Sequence, residues 1–239
     1  MESIIFGGEI LADFQPEQGF EEYLKSTEFC DSDNDVVRAK AEEITEHDKK
    51  PREKALSVFH FVRDNIKFMM GKFEKASDTL MRGHGDWNSK TNLQVALLRA
   101  VKIPARFHIA SLSKDSIKGI VSDLFYQNAP DVLPFHPWCE CYLDGKWISC
   151  DTLLDRPLIE SAYKRRIFTK EEIPRIEWDG YDDLNTMTHW MLKDKGTFPS
   201  LDQILFETQK GQNSAELEKE QMKITLKQSN KYTESLREN

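Results

Sequence analysis

The chain has 239 residues, 31% of them charged, with a formal net charge of −8 at pH 7. This length can bury a sizeable core, either as one large domain or as one domain with an appended segment. The acidic balance, with no basic stripe, argues against nucleic acid as a partner, and no stretch has the apolar length of a membrane span. We therefore expect a soluble, cytoplasmic protein. Residues 1–6 lack the basic region and apolar run of a leader, and the four cysteines lack disulfide-scaffold or CxxC spacing.

The first predicted elements are two helices. Residues 36–44 have the pattern of a short amphipathic helix. Pro51 then begins a stronger one, because its missing N–H costs nothing at the first helical position. An apolar stripe at helical spacing predicts the core-facing side of this second helix, formed by Ala55, Val58, Phe59, Val62 and Ile66.

A glycine turn at residues 83–86 leads into a third helix, over 88–100, which we expect to be buried on most sides. Leu93, Ala96, Leu97 and Ala100 recur at i, i+3, i+4 and i+7, with further apolar residues beside them. The free N–H groups at a helix N-terminus lower the pKa of a thiol, so an anionic nucleophile would suit this position. The residue there is Trp87.

Beyond this helix, residues 107–110 read as a strand and 111–133 as an irregular connection, which in a compact domain is typical of a functional flap. Asp144-Gly145 then lies between two β-prone runs and predicts a two-residue hairpin turn. If Leu143 pairs with Lys146, His136 lies diagonal to Asp151 on the same face. Diagonal neighbours are about 7–8 Å apart, within reach of a hydrogen bond between imidazole and carboxylate.

The predicted register divides the hairpin into two faces. One carries the polar and aromatic residues His136, Trp138, Glu140, Tyr142, Trp147, Ser149 and Asp151. The other carries Cys139, Cys141, Leu143, Ile148 and Cys150, so we expect these thiols to behave as small apolar core residues. The remaining histidines are scattered without ligand spacing, and we predict neither a metal site nor a cofactor.

These blocks resemble the transglutaminase-like superfamily. They comprise Gly85-Asp86, the Leu-Leu-Arg-Ala of residues 97–100, the Ile-Pro-Ala-Arg of 103–106, the His-Pro-Trp-Cys-Glu of 136–140 and the Trp-Ile-Ser-Cys-Asp of 147–151. The resemblance implies a papain-like α+β fold, with an antiparallel sheet packed on a central helix and added helices. It also implies a Cys–His–Asp triad for acyl transfer or amide hydrolysis. His136 and Asp151 match two members of that triad, and Trp87 stands at the nucleophile position.

The replacement of the nucleophile changes the expected function. An indole has no nucleophilic lone pair, so Trp87 cannot form a thioester. We expect a His136–Asp151 dyad to act as a non-covalent general acid/base on a small-molecule or peptide substrate held against Trp87. Substrate contacts are predicted for Asp86, Asn88 and Trp138. Two alternatives stay open: an inactive binding module with a peptide or small-molecule pocket, or an active acyltransferase or amide hydrolase whose cysteine has been replaced by Trp87.

The domain prediction is one transglutaminase-like domain over residues 1–209, with an N-terminal helical region and a core at about 51–155. Short helices are predicted over 185–192 and 201–208. Residues 210–239 form a charged helical extension. Its apolar residues are few, and we expect it either to fray or to dock through Leu217, Met222, Ile224 and Leu226. The oligomeric state does not follow from the sequence.

Overall fold

The computed structural model describes residues 19–203 and 216–238. In the last helix it describes side chains from residue 223 on. The helices are α1 (Asp35–Ile44), α2 (Pro51–Asn65), α3 (Ala76–Arg82), α4 (Trp87–Ala100), α5 (Asp123–Asn128), α6 (Arg156–Lys164) and α7 (Glu216–Arg237). The strands are β1 (Lys67–Phe68), β2 (His84–Gly85), β3 (Ala105–Ser113), β4 (Val132–Leu143), β5 (Lys146–Ser149) and β6 (Met191–Phe198). The predicted α+β fold, with its central helix and antiparallel sheet, is confirmed.

Four antiparallel strands form the main sheet in the order β5-β4-β3-β6, and a short parallel pair joins β1 to β2. The hairpin register is the predicted one, with Leu143 opposite Lys146 and Glu140 opposite Ser149. The prediction of a helix over 185–192 was wrong. Only Thr188–Trp190 forms a short 3-10 turn, and β6 follows directly. Five of the eight β6 residues are exposed and the middle of the strand is charged, at Lys193, Asp194 and Lys195, so its sequence lacks the apolar alternation by which a strand is recognised.

Helix α4 packs against β4 and is surrounded by protein. The Asp86 side chain caps it by accepting the Ser89 N–H at 2.9 Å. Leu93, Ala96 and Leu97 are fully buried and belong to one apolar cluster with the strand residues Phe107, Ile109, Cys139, Cys141 and Ile148. All four cysteines are free and buried, as the hairpin pattern predicts for three of them.

The connection after residue 110 is more regular than predicted. Strand β3 continues to Ser113, a 3-10 turn covers Lys114–Ile117, and α5 follows. Ile117, Ile120 and Val121 are buried in a second apolar cluster together with Trp138. Packed apolar side chains therefore hold this connection against the body of the domain.

Helix α7 docks on the domain through polar groups more than through the predicted apolar residues. The Asn230 side chain accepts from the Met70 N–H and donates to the Met70 carbonyl, both at 2.8 Å. The Thr233 hydroxyl donates to the Ile120 carbonyl at 2.8 Å. Leu226 is partly buried, but Ile224 is 44% exposed, so its predicted docking role was wrong. The predicted contacts of Leu217 and Met222, and most of the predicted 201–208 helix, lie outside the described residues.

Within the described ranges, no helix combines the length and the apolar character needed to cross a bilayer.

Candidate functional site

The predicted site residues Trp87 and His136 come together where α4 begins. Trp87 is the first residue of α4, and His136 lies on β4 opposite Ala110 of β3. Their ring centroids are 6.5 Å apart with the ring planes tilted by 48°. Trp87 also stacks on Phe68, at 6.3 Å between centroids. The indole therefore lies beside the imidazole.

The cavity that Trp87 and His136 share is small and mostly apolar. Its volume is about 20 Å³, enough for about one water molecule. The other lining residues come from β1, from the β3–β4 region and from the segments that follow β5: Phe68, Leu112, Ser116, Ile117, Ile120, Leu133, Phe135, Leu153, Leu154 and Met187. No peptide or metabolite fits into this volume in the present arrangement.

His136 is buried, with only 4% of its surface exposed. Burial lowers the pKa of its imidazole to about 4, although the nearby charge of Asp151 opposes this shift. The imidazole is therefore neutral at pH 7. Its Nε2 atom has no hydrogen-bond partner among the described protein groups.

The predicted hydrogen bond between His136 and Asp151 is not formed. One Asp151 oxygen accepts the Leu153 N–H at 2.9 Å, and the other accepts the Thr186 N–H at 3.1 Å and the Thr186 hydroxyl at 2.5 Å. The cause is a later segment: Leu184 pairs with Cys150 and accepts the Asp151 N–H at 3.0 Å. This pairing brings Thr186 to the carboxylate, which its hydrogen bonds then hold away from the imidazole.

The three residues predicted to contact substrate have different environments. Asp86 is buried as the cap of α4, and burial raises the pKa of its carboxyl to about 6, against the lowering effect of its bond to the Ser89 N–H. Trp138 is buried, donates from Nε1 to the Ser149 hydroxyl at 3.1 Å, and does not line the cavity. Asn88 is half-buried beside Trp87. Of the three, Asn88 has the side chain least committed to the fold.

The sequence of the central region matches a known family. The family model described as the transglutaminase-like superfamily matches residues 38–152, which include α4, the β4–β5 hairpin, His136 and Asp151. Residues 38–152 belong to the transglutaminase-like superfamily. No curated protein matches it.

Two solved structures are similar to this transglutaminase-like chain. A proposed cysteine protease from Cytophaga hutchinsonii has 20% sequence identity and a TM-score of 0.47, with 75% of this chain and 47% of that chain covered. A proposed protease from Parabacteroides distasonis has 15% identity and a TM-score of 0.37, with 55% of this chain and 25% of that chain covered. The chain therefore spans less than half of the length of either protein.

Unpaired polar atoms are concentrated at this transglutaminase-like site. Among the described residues, five buried side-chain atoms lack a hydrogen-bond partner, and four of them lie here: Trp87 Nε1, Asn88 Oδ1, Ser89 Oγ and His136 Nε2. Each such atom costs about 1–3 kcal/mol of folding free energy. These four polar atoms thus lie together at a position where they do not stabilise the fold.

Two polar residues of α4 that the sequence analysis missed support the site. Gln94 donates to the Cys150 carbonyl at 2.7 Å and accepts from the Thr152 hydroxyl at 2.8 Å, which fixes both neighbours of Asp151. Lys90 is fully buried and donates to the Ile66 carbonyl at 2.5 Å, at the end of α2. Burial lowers the pKa of its amine to about 8. The signal that could have identified Gln94 and Lys90 was their polar character on a helix predicted to be buried on most sides.

Gly85, which precedes the α4 cap, allows the chain to approach the helix closely. A Cβ at this position would lie 2.7 Å from the Ser89 Cβ. Any other residue would force the turn away from α4 and move Trp87 with it.

A second polar network, on the sheet near Trp138, predicts a pH-dependent stability. His108 bonds Glu140 at 2.7 Å and Asp194 at 2.8 Å, and so connects β3 to β4 and β6. Burial lowers the pKa of its imidazole, but the two carboxylates outweigh this effect, and the pKa lies above its ordinary value of 6.5. Protonated His108 therefore stabilises the folded state fully below pH 6.5, and this contribution is lost as pH rises through the folded-state pKa.

The free energies of unfolding of the wild type and of His108→Gln, measured in urea between about pH 5.5 and about pH 8.5, give this contribution. We expect the stability difference between wild type and variant to shrink as the pH rises. A difference that is constant or that grows towards alkaline pH would contradict the assignment.

Proposed function

We propose that this transglutaminase-like domain does not perform covalent acyl transfer and acts as a binding module. The observation that supports this most directly is Trp87 itself. The sequence pattern assigns Trp87 to the nucleophile position, and its indole lies beside His136 at a cavity of about 20 Å³. A site of this size admits about one water molecule and no acyl group.

The environment of His136 supports the same conclusion. A base that works near neutral pH needs a pKa near 7, whereas burial lowers the pKa of this imidazole to about 4. Asp151, which would orient the ring in a triad, is bonded to Thr186 and Leu153 instead. Neither the proton affinity nor the orientation suits acid–base catalysis in this arrangement.

A second candidate function is non-covalent general acid/base chemistry by His136. One observation favours it: the imidazole Nε2 and the indole Nε1 are both buried without a partner. A substrate that displaced the indole would meet these two groups. In that arrangement the imidazole would be rehydrated, and its pKa would return towards the ordinary range.

We also propose a reducing, cytoplasmic location for this protein. The four cysteines are free and buried, and they occupy core positions without forming disulfides.

Turnover by the wild-type chain and by His136→Ala distinguishes the two candidates. We expect ester hydrolysis of p-nitrophenyl acetate, amide hydrolysis of a peptide panel and amine incorporation into casein to equal the buffer rate for both proteins. Trp87→Phe, which keeps an aromatic ring in the cleft, is the matched control for folding and should be equally silent. Turnover by the wild type that His136→Ala abolishes would overturn the binding-module function in favour of acid–base catalysis.

A further inference from the structure

An open groove separates α7 from the β1–β2 pair, away from the Trp87 cleft. Its volume is about 880 Å³. The floor includes the partly buried apolar side chains of Met69 and Leu226, and the bonds of Asn230 to Met70 hold α7 in place beside β1. The groove is therefore a preformed feature with one helical and one extended wall.

The groove is strongly basic although the chain as a whole is acidic. Its lining contains five cationic side chains, those of Lys67, Arg82, Lys223, Lys227 and Lys231, and one carboxylate, that of Glu234. Lys67 bonds Glu234 at 2.5 Å, and Arg82 forms an ion pair with Glu74. Within the described ranges, no ion pair involves Lys227 or Lys231, and both are exposed.

The lysines of α7 have a spacing that an extended peptide can match. Residues 223, 227 and 231 recur every four positions and form one row on the helix, with steps of about 6 Å. An extended peptide places every second side chain on the same side, with steps of about 6.6 Å. Carboxylates at alternate positions would therefore meet successive lysines, while the intervening side chains face Met69 and Leu226.

We propose that this groove binds an extended acidic segment of a partner protein. Charge complementarity selects the ligand, since the exposed ammonium groups of Lys227 and Lys231 attract carboxylates and the apolar floor accepts the alternate side chains. No Phe, Tyr or Trp side chain is among the groove's described lining residues, and the His84 imidazole is the one ring there, so a nucleic acid strand would have few platforms for base stacking. The net charge of −8 also repels long polyanions, whereas a short acidic peptide meets mainly the local positive field.

The test uses the full chain and a fluorescein-labelled peptide, Glu-Leu-Glu-Ser-Glu-Leu-Glu-Ser-Glu-Leu, with fluorescence anisotropy as the readout. The double variant Lys227→Glu/Lys231→Glu should weaken binding about tenfold or more, because two attractions become repulsions. Lys164→Glu/Lys193→Glu changes the net charge equally at exposed positions outside the groove, and it should stay within about twofold of wild type. Circular dichroism verifies that both double variants are folded.

Two further measurements complete the test. A peptide with glutamine in place of each glutamate should not bind, and added salt should weaken the binding of the acidic peptide. Equal affinities of the two double variants, or no binding by the wild type, would overturn the inference. Tighter binding of an oligothymidylate through the same lysines would also overturn it, by assigning the groove to a polyanion. Because no step involves Trp87 or His136, these results are independent of the turnover measurements.

Discussion

Trp87→Cys should generate a thiol whose pKa lies well below the ordinary value of about 8.5. The new side chain would occupy the first position of α4, where unpaired N–H groups and the helix dipole stabilise a thiolate. His136 would lie beside it, and loss of the indole would admit water to the imidazole. The charged thiolate–imidazolium pair would then be accessible in a cleft that is now filled.

The appropriate measurement is the pH profile of alkylation by iodoacetamide. The rate at neutral pH alone discriminates poorly, because a thiolate of lower pKa is also a weaker nucleophile. The midpoint of the profile reports the pKa directly. We expect Trp87→Cys to show a midpoint well below that of Leu192→Cys, a reference thiol at a position that is 57% exposed. The four native thiols should contribute little, because burial raises the pKa of Cys30 to about 11 and also raises those of Cys139 and Cys150. The pKa of Cys141 is raised by its hydrogen bond with Cys150 and by burial.

Trp87→Cys/His136→Ala is the matched control. Removing the imidazole should move the midpoint back towards the reference value, leaving only the contribution of the helix N-terminus. The exchange of Trp for Cys also removes a large, partly buried side chain, and we expect a loss of stability of at most about 3–5 kcal/mol, measured by urea unfolding. If the folded Trp87→Cys variant showed the same midpoint as the reference thiol, position 87 would not be the nucleophile position of the superfamily.

The second large effect concerns the buried ion pair that attaches α7 to the domain. Arg237 bonds Asp155 at 2.5 and 2.9 Å, and the side chains are only 6% and 2% exposed. Both residues also bond the backbone of Phe68, which lines the Trp87 cavity. Burial raises the pKa of Asp155, but the Arg237 bond and the Lys90 charge outweigh it, and the pKa lies below its ordinary value. The carboxylate is thus charged at neutral pH.

Asp155→Ala should destabilise the full chain by about 3–5 kcal/mol, because it leaves the Arg237 guanidinium buried without its counter-charge. It also removes the cap that accepts the Leu158 N–H at the start of α6. Glu234→Ala is the matched control. This carboxylate also bonds Arg237 but is 38% exposed, so its removal should cost less than about 1 kcal/mol.

Urea unfolding gives the two free energies, and hydrogen exchange locates the effect. Relative to wild type, Asp155→Ala should accelerate the exchange of α7 and β1 amides more than that of α4 amides. The reason is that the weakened contacts connect α7 to β1. Equal, small effects of the two substitutions would show that α7 is held mainly by its other contacts, such as those of Asn230 and Thr233.

Periodicity and turn chemistry determined much of the fold from the sequence alone. The apolar spacing placed α2 and α4, and Asp144-Gly145 set a hairpin register that the structure reproduces from Leu143 to Glu140. The same local signals placed Trp87 at the start of α4 and His136 on the strand that faces it. These features depend on contacts between residues close in the chain, which a sequence pattern records directly.

The tertiary structure decided the features that depend on distant segments. Thr186, 35 positions further along the chain, donates a hydrogen bond to the Asp151 carboxylate. No pattern within the hairpin could indicate that this residue would replace His136 as the partner. Strand β6 is charged at its centre and lacks apolar alternation, so it became recognisable only through its pairing with β3. The closure of the Trp87 cavity likewise depends on Phe68, Leu112 and Met187, which three separate segments contribute. Side-chain partners and cavity volume are properties of packing between segments, so a pattern within one segment does not record them.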